Sequence, residues 1–132
     1  MKIKLTSIYV DDQEQALHFY TDVLGLVKKA DYTHGGYRWL TVASAEEPDG
    51  IELQLASADA HPAGKAFQQA LFAQGERAIM FYVDDVQAEH DRLTAAGAEF
   101  SQPPTKVTGS TIAALNDTVG NLVQLTKLDG RQ

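Results

Sequence analysis

Tyr9-Val10-Asp11-Asp12 and Tyr82-Val83-Asp84-Asp85 are one string written twice, 73 residues apart. Reading outward from it, Leu24-Gly25 is echoed by Ala96-Gly97 at an offset of 72. Gly50-Ile51-Glu52-Leu53-Gln54-Leu55 returns as Gly120-Asn121-Leu122-Val123-Gln124-Leu125 at an offset of 70. Three landmarks in the same order at nearly one spacing mark an internal duplication. With only two copies, a long solenoid is excluded.

Each copy opens alike. Lys2 to Val10 alternates and is rich in β-formers, and Ala78 to Val83 does the same. Asp11 can then cap a helix, with Glu14 completing a capping box, and Asp84 with Gln87 repeats the device. Ala16, Leu17, Tyr20, Val23 and Leu24 form one apolar stripe at helical spacing. Gly25 and Gly97 suit the left-handed residue that ends a helix. Three strands per copy should follow, the clear ones being Tyr37–Ala43, Ile51–Leu55, Thr111–Leu115 and Leu122–Thr126. Pro48-Asp49-Gly50 and Asn116–Gly120 supply the turns between them. Pro62 to Gln74 reads as a linker helix that packs Ala66, Phe67, Ala70 and Leu71 and stops at Gly75. The expected fold is α+β: two tandem βαβββ modules forming a curved mixed sheet around a concave pocket. All of 1–132 is read as one domain, with modules over about 2–57 and 77–127.

Composition narrows the function. Hydrophobic residues are 44% and charged residues 22%, which fits a soluble globular chain. No apolar run approaches the roughly 20 residues of a membrane span, and Met1 leads into strand-like sequence rather than a signal peptide. With no cysteine there is no disulfide, thiolate nucleophile or thiolate metal site, so cytoplasm is the expected compartment. A net charge of −7 speaks against a nucleic-acid partner.

The string Val10, Asp12, Phe19-Tyr20, Leu24-Gly25, followed by a glycine turn and a φ-Q-L strand, resembles the vicinal-oxygen-chelate superfamily, the glyoxalase/bleomycin-resistance/dioxygenase group. Tyr37-Arg38-Trp39-Leu40-Thr41-Val42 with Pro48-Asp49-Gly50 is similar to a bacterial subgroup described as glyoxalase-like. The resemblance runs from about Lys2 to Lys127. It implies the fold directly, but not the reaction, because the group holds isomerases, dioxygenases, thiol transferases and non-catalytic drug-binding proteins.

In metal-dependent members each module gives two ligands, one five residues before the V-x-D valine and one inside the φ-E-L strand. Here those positions hold Leu5 and Ala78, then Gln54 and Gln124. Two aliphatic groups and two amides are a poor set for a transition metal. The resemblance therefore implies no metal and no cofactor. The histidines do not repair the deficit. His18 lies on the first helix next to its apolar stripe, and His90, the repeat counterpart of Leu17, is expected to pack half-buried. His34 and His61 lie in loops, with His34 able to overhang the cavity mouth as a base. No nucleophile elbow, phosphate loop or dinucleotide fingerprint is present.

If position 5 faces the cavity, strand alternation sends Leu5, Ser7 and Tyr9 there and packs Ile8 and Val10 under the helices. The repeat sends Ala78, Met80 and Tyr82 inward, and Glu52, Gln54 and Gln124 join them. Trp39 is mid-strand with its face undetermined. Arg38 and Lys106 read as surface charges that could also meet an anionic ligand. A mostly apolar surface with a few amides suits a flat small molecule, though the same aromatics could simply close a core. Three functions remain open. One is metal-free binding of a planar apolar compound. The second is a glyoxalase-like isomerase or lyase with Glu52 as general base. The third is an interaction module with a vestigial pocket. A carboxylate buried among apolar groups becomes basic enough to abstract a proton, so the burial of Glu52 separates the first two. A homodimer is expected, since open sheet edges invite pairing.

Overall fold

A computed structural model describes residues 1–130. Strand β1 (Leu5–Val10) leads into helix α1 (Gln13–His18), which widens into a π-helical turn over Phe19–Val23. Strands β2 (Val27–His34), β3 (Tyr37–Ala43) and β4 (Glu52–Ser57) complete the first module. Helix α2 (Pro62–Ala73) links it to β5 (Arg77–Tyr82), α3 (Val86–Ala95), β6 (Glu99–Val107), β7 (Ser110–Asn116) and β8 (Leu122–Leu128). The strands form two four-stranded mixed sheets of matching order, β1-β4-β3-β2 and β5-β8-β7-β6. In each, the opening strand pairs in parallel with the last strand of its module. The duplication in the sequence is therefore a duplication of topology, carried by one ladder per module.

Local chemistry explains the helix starts, one residue later than the sequence reading placed them. Asp12, not Asp11, is the first cap: its backbone is extended (φ −143°) and its carboxylate accepts from the Gln15 amide. Asp85, not Asp84, repeats this with the Ala88 amide. Asp11 is instead spent on the second module, its N–H donating to Val119 O at 2.9 Å. Gly25 and Gly97 end their helices at φ 92° and 96°, as expected.

The π turn was not legible as periodicity. The Leu24 amide reaches Phe19 O at 2.9 Å, one residue further back than an α-helix allows. The wider turn lets two consecutive aromatics face inward, Phe19 at 4% and Tyr20 at 0% exposure, packed edge to face at 5.4 Å. They join Ile8, Val10, Leu40, Val42, Leu53 and Leu55 from the first sheet, Leu93 from α3, and Leu115, Val123 and Leu125 from the second sheet in a single core.

Between the modules lies a polar joint built on the β7–β8 turn. Asp117, fully buried, accepts from Tyr20 Oη (2.6 Å), the Val119 and Asn121 amides, and Asn121 Nδ2. Gln15 Nε2 donates to Thr118 O and Oγ1, holding a β-branched residue at a positive φ of 68°. Helix α2 packs differently from the expected pattern. Ala66, Phe67 and Ala70 are exposed, and the buried residues are Gly64 and Gln68. Gly64 is buried because the Tyr9 ring lies against it, leaving no room for a Cβ. Gln68 Nε2 donates to Tyr9 O and Val119 O, covering part of the open edge of β1.

Candidate functional site

Which side chains share a surface follows from the register. In β1 and β4, Leu5 pairs with Glu52 and Ser7 with Gln54. Thr41 pairs with Gln54, which puts Trp39 and Tyr37, two and four residues away, on the same side. Tyr32 and His34 pair with Trp39 and Tyr37 and extend that side onto β2. The face left open in the sequence reading is thus assigned: Trp39 belongs with the amides and not with the core. On the opposite side, Ile8 and Val10 are buried at 6% and 0%, as alternation requires.

Polar groups on this face hold one another. Ser7 Oγ donates to Gln54 Oε1 at 2.8 Å, and Gln54 Nε2 donates to Tyr37 Oη at 2.9 Å. The Gln54 side chain is thereby fixed as a bridge between β1 and β3. Thr41 Oγ1 donates to Glu52 Oε1 at 2.6 Å and accepts from the Ala30 amide. Tyr9 sits at the margin, its ring edge-on to His61 at 5.9 Å; His61 also meets Tyr37 at 6.0 Å. His61 is exposed, as the sequence suggested, yet it walls the aromatic face, a role the sequence reading did not give it.

The second module repeats the arrangement with one departure. Met80 pairs with Gln124 and Tyr82 with Thr126. Gln124 Nε2 donates to Thr126 Oγ1 at 3.0 Å and lies 3.7 Å from Met80 Sδ. Ala78, expected on this face, falls in a register shift between Arg77 and Ile79 and packs against the core. Arg77 comes round instead, donating to Gln102 Oε1 at 2.7 Å and to Gly75 O. A bulge is not visible in an apolar alternation, which is why the sequence missed Arg77.

The two faces do not close over each other. Leu5, Met80 and Tyr82 are 43%, 51% and 64% exposed, so the expected pocket is an open apolar surface in a single chain. The better-enclosed cavities lie at the margins of these faces and share residues with them. One of about 140 Å3 is lined by Leu24, Leu26, Phe81, Tyr82, Arg92 and Leu93. Another, of about 70 Å3, lies between Ser7, Tyr9, Phe67, Leu71 and Ala78.

Among the described residues no group of three or more His, Asp or Glu side chains is placed to hold a metal ion. The residues at the family's ligand positions do not fit one either: Leu5 and Ala78 have no donor, and Gln54 Oε1 already accepts from Ser7. The histidines are accounted for. His90 is half-buried and packs on Phe100 at 4.4 Å, as expected. His18 is exposed and paired with Asp22. His34 shares the face of Tyr37 from the end of β2. Arg38 lies on the helix side, forked onto Asp31 and joined by Glu14, and cannot reach a ligand on the aromatic face. The Arg38 hydrogen bond holds the Asp31 carboxyl below its usual value. Lys106 pairs with Asp129.

A family model described as the Glyoxalase/Bleomycin resistance protein/Dioxygenase superfamily matches residues 2–125. The "Uncharacterized protein YurT" of Bacillus subtilis (strain 168) is 47% identical over 125 residues, covering 95% of this chain and 98% of its own. A "Probable lactoylglutathione lyase" of Vibrio cholerae is 30% identical over 128 residues, covering 94% and 88%. Among solved structures, the antibiotic-binding protein TnmS3 from Streptomyces sp. CB03234 superposes with a TM-score of 0.78 at 26% identity, covering 98% of this chain and 97% of that one.

Proposed function

The chain belongs to the Glyoxalase/Bleomycin resistance protein/Dioxygenase superfamily, and from that premise we propose that it binds a planar, mostly apolar small molecule without a metal and without turning it over. The observation that carries this reading is the face itself. Trp39 and Tyr37 flank Gln54, whose amide is fixed by Ser7 and Tyr37, while Leu5, Met80 and Tyr82 remain exposed. Fixed amides orient a ligand, and exposed apolar side chains gain by being covered, at about 25 cal/mol per Å2 before association costs. TnmS3, a binding protein of the same fold, supports the reading.

The competing reading is a glyoxalase-like isomerase with Glu52 as base. The lyase relative of Vibrio cholerae favours it. Two features of the site oppose it. Glu52 is half-buried and committed on one oxygen to Thr41, and the positions that would hold a polarising metal carry no suitable donors. Such a metal contributes several kcal/mol to stabilising an enediolate, and nothing on this face replaces it.

The active unit in this reading is a homodimer in which a second copy covers the open face. Exposed Leu5, Met80, Tyr82 and Phe67 are the motive, since burying each fully is worth about 1.5–3 kcal/mol. Light scattering at micromolar concentration should give twice the 14.4 kDa chain mass; a monomer would remove the dimer from the account.

The binding test is a titration with aromatic antibiotics, flavins and quinones, followed by emission of Trp39, the one tryptophan. At least one class should quench or shift it, and Tyr82→Ala should weaken that response about tenfold, roughly 1.4 kcal/mol. If no compound moves either the emission or the melting temperature, the binding reading fails.

A further inference from the structure

Glu52 is the feature of the aromatic face that simple apolar binding does not use. Its Oε1 accepts from Thr41 Oγ1 at 2.6 Å. Thr41 is fully buried, and its hydroxyl oxygen is already occupied by the Ala30 amide, so its proton is committed to Glu52. The carboxylate is therefore aimed rather than free to swing. None of the ion pairs among the described residues includes it. A positioned carboxylate without a cation, on the same sheet face as tryptophan and tyrosine, is open to a cationic partner.

Geometry sets the reach. Thr41 and Trp39 are two residues apart on one face of β3, about 7 Å at the usual strand rise. Glu52 lies diagonally beyond Thr41, on the strand that pairs with β3. A fused bicyclic or tricyclic system stacked on Trp39 can place a substituent at that carboxylate. The rings of Trp39, Tyr37 and Tyr32 share the face, and their quadrupoles favour a positively charged aromatic over a neutral one. Arg77, on the face of the other module, is engaged by Gln102 and Gly75, so it offers no equal inducement to an anion.

We infer that the ligand is a planar aromatic carrying a protonated amine or amidine, read by Glu52 while its rings lie on Trp39. The inference rests on the binding reading above and names the ligand class for that same face.

The test uses three planar tricyclic probes of similar size in equilibrium dialysis at near-neutral pH and physiological salt: proflavine (cationic), 9-anthracenemethanol (neutral) and 9-anthracenecarboxylate (anionic). Proflavine should bind at least tenfold more tightly than the other two. Glu52→Gln, which can still accept from Thr41, should bring proflavine down to the level of the neutral probe and leave the neutral probe unchanged. Glu76→Gln removes the same charge from an exposed site off the face and should change nothing. That control separates a local carboxylate from the general pull of a chain with net charge −7. Equal binding of the three probes, a cation preference that survives Glu52→Gln, or an equal loss in Glu76→Gln overturns the inference while leaving apolar binding intact. If no probe binds, or if Trp39→Leu leaves all binding unchanged, the binding reading falls and this inference falls with it.

Discussion

Replacing Tyr20 with Phe removes one oxygen from the joint between the modules and nothing from the core packing. The hydroxyl is fully buried and donates to Asp117 Oδ2 at 2.6 Å. A hydrogen bond to a charged group is worth about 1.5–3 kcal/mol, so that is the expected loss at neutral pH. For a chain of this size it corresponds to a fall of roughly 5–10 °C in melting temperature. Burial raises the Asp117 carboxyl above 3.8, against the hydrogen bonds from Tyr20, Asn121 and Val119 that pull it down. Because its folded value is raised, its favourable contribution is complete below 3.8 and is lost as pH rises through the folded value. Deleting the Tyr20 donor raises that value further. The cost of Tyr20→Phe is thus largest where Asp117 is charged and shrinks as pH falls through the folded value towards 3.8. The alkaline limb should change too. Burial, and then the charge and hydrogen bond of Asp117, push the Tyr20 phenol well above 10.0. The wild type therefore loses stability as pH rises beyond that point, and the Phe variant lacks this part of the loss. Urea unfolding in steps from about pH 7 down towards 3.8 follows the cost across that range. A loss below about 0.5 kcal/mol at neutral pH, or one that does not shrink over that range, would refute the assignment of this contact as a charge-assisted latch.

Two further outcomes follow from the same structure. Gly64→Ala places a Cβ 2.5 Å from Tyr9 Cε1 and Cζ; the helix gains about 1 kcal/mol from alanine, but overpacking costs about 1–3. The variant should be less stable on balance, and adding Tyr9→Ala should relieve it; a more stable Gly64→Ala single variant would show that the ring moves freely. The purified protein should carry less than stoichiometric divalent metal, and added Zn, Ni or Mn should not raise its melting temperature; elemental analysis near one equivalent would overturn the metal-free account.

The duplication was readable because it lives in short-range chemistry. An aspartate cap, a glycine at the helix end and a φ-Q-L strand occur in the same order in both halves. Alternation then placed Ser7, Gln54, Met80 and Gln124 on their faces without any knowledge of pairing. Trp39 could not be placed that way. Its face depends on which residue of β3 pairs with Gln54, and the eight residues between the two strands do not reveal the register. Arg77 and Ala78 exchanged roles through a bulge, which alternation cannot express. Phe19 was hidden by the π turn, because a stripe counted at 3.6 residues per turn leaves no place for two adjacent inward aromatics. In α2 the apolar spacing predicts packing of Ala66, Phe67 and Ala70, whereas close approach buries Gly64 and backbone capping buries Gln68. The open face is tertiary as well. No local pattern says whether the two sheets of one chain cover each other.

The central claim is that the aromatic face, and not another cavity, takes the ligand. Amide chemical-shift mapping with the panel compound that gives the largest Trp39 response tests it most directly. The account predicts the largest shifts at Ser7, Tyr37 to Thr41, Gln54, Met80 and Gln124. Shifts concentrated instead around Leu24 to Leu26 and Glu89 to Leu93, which line the 140 Å3 cavity, would contradict it.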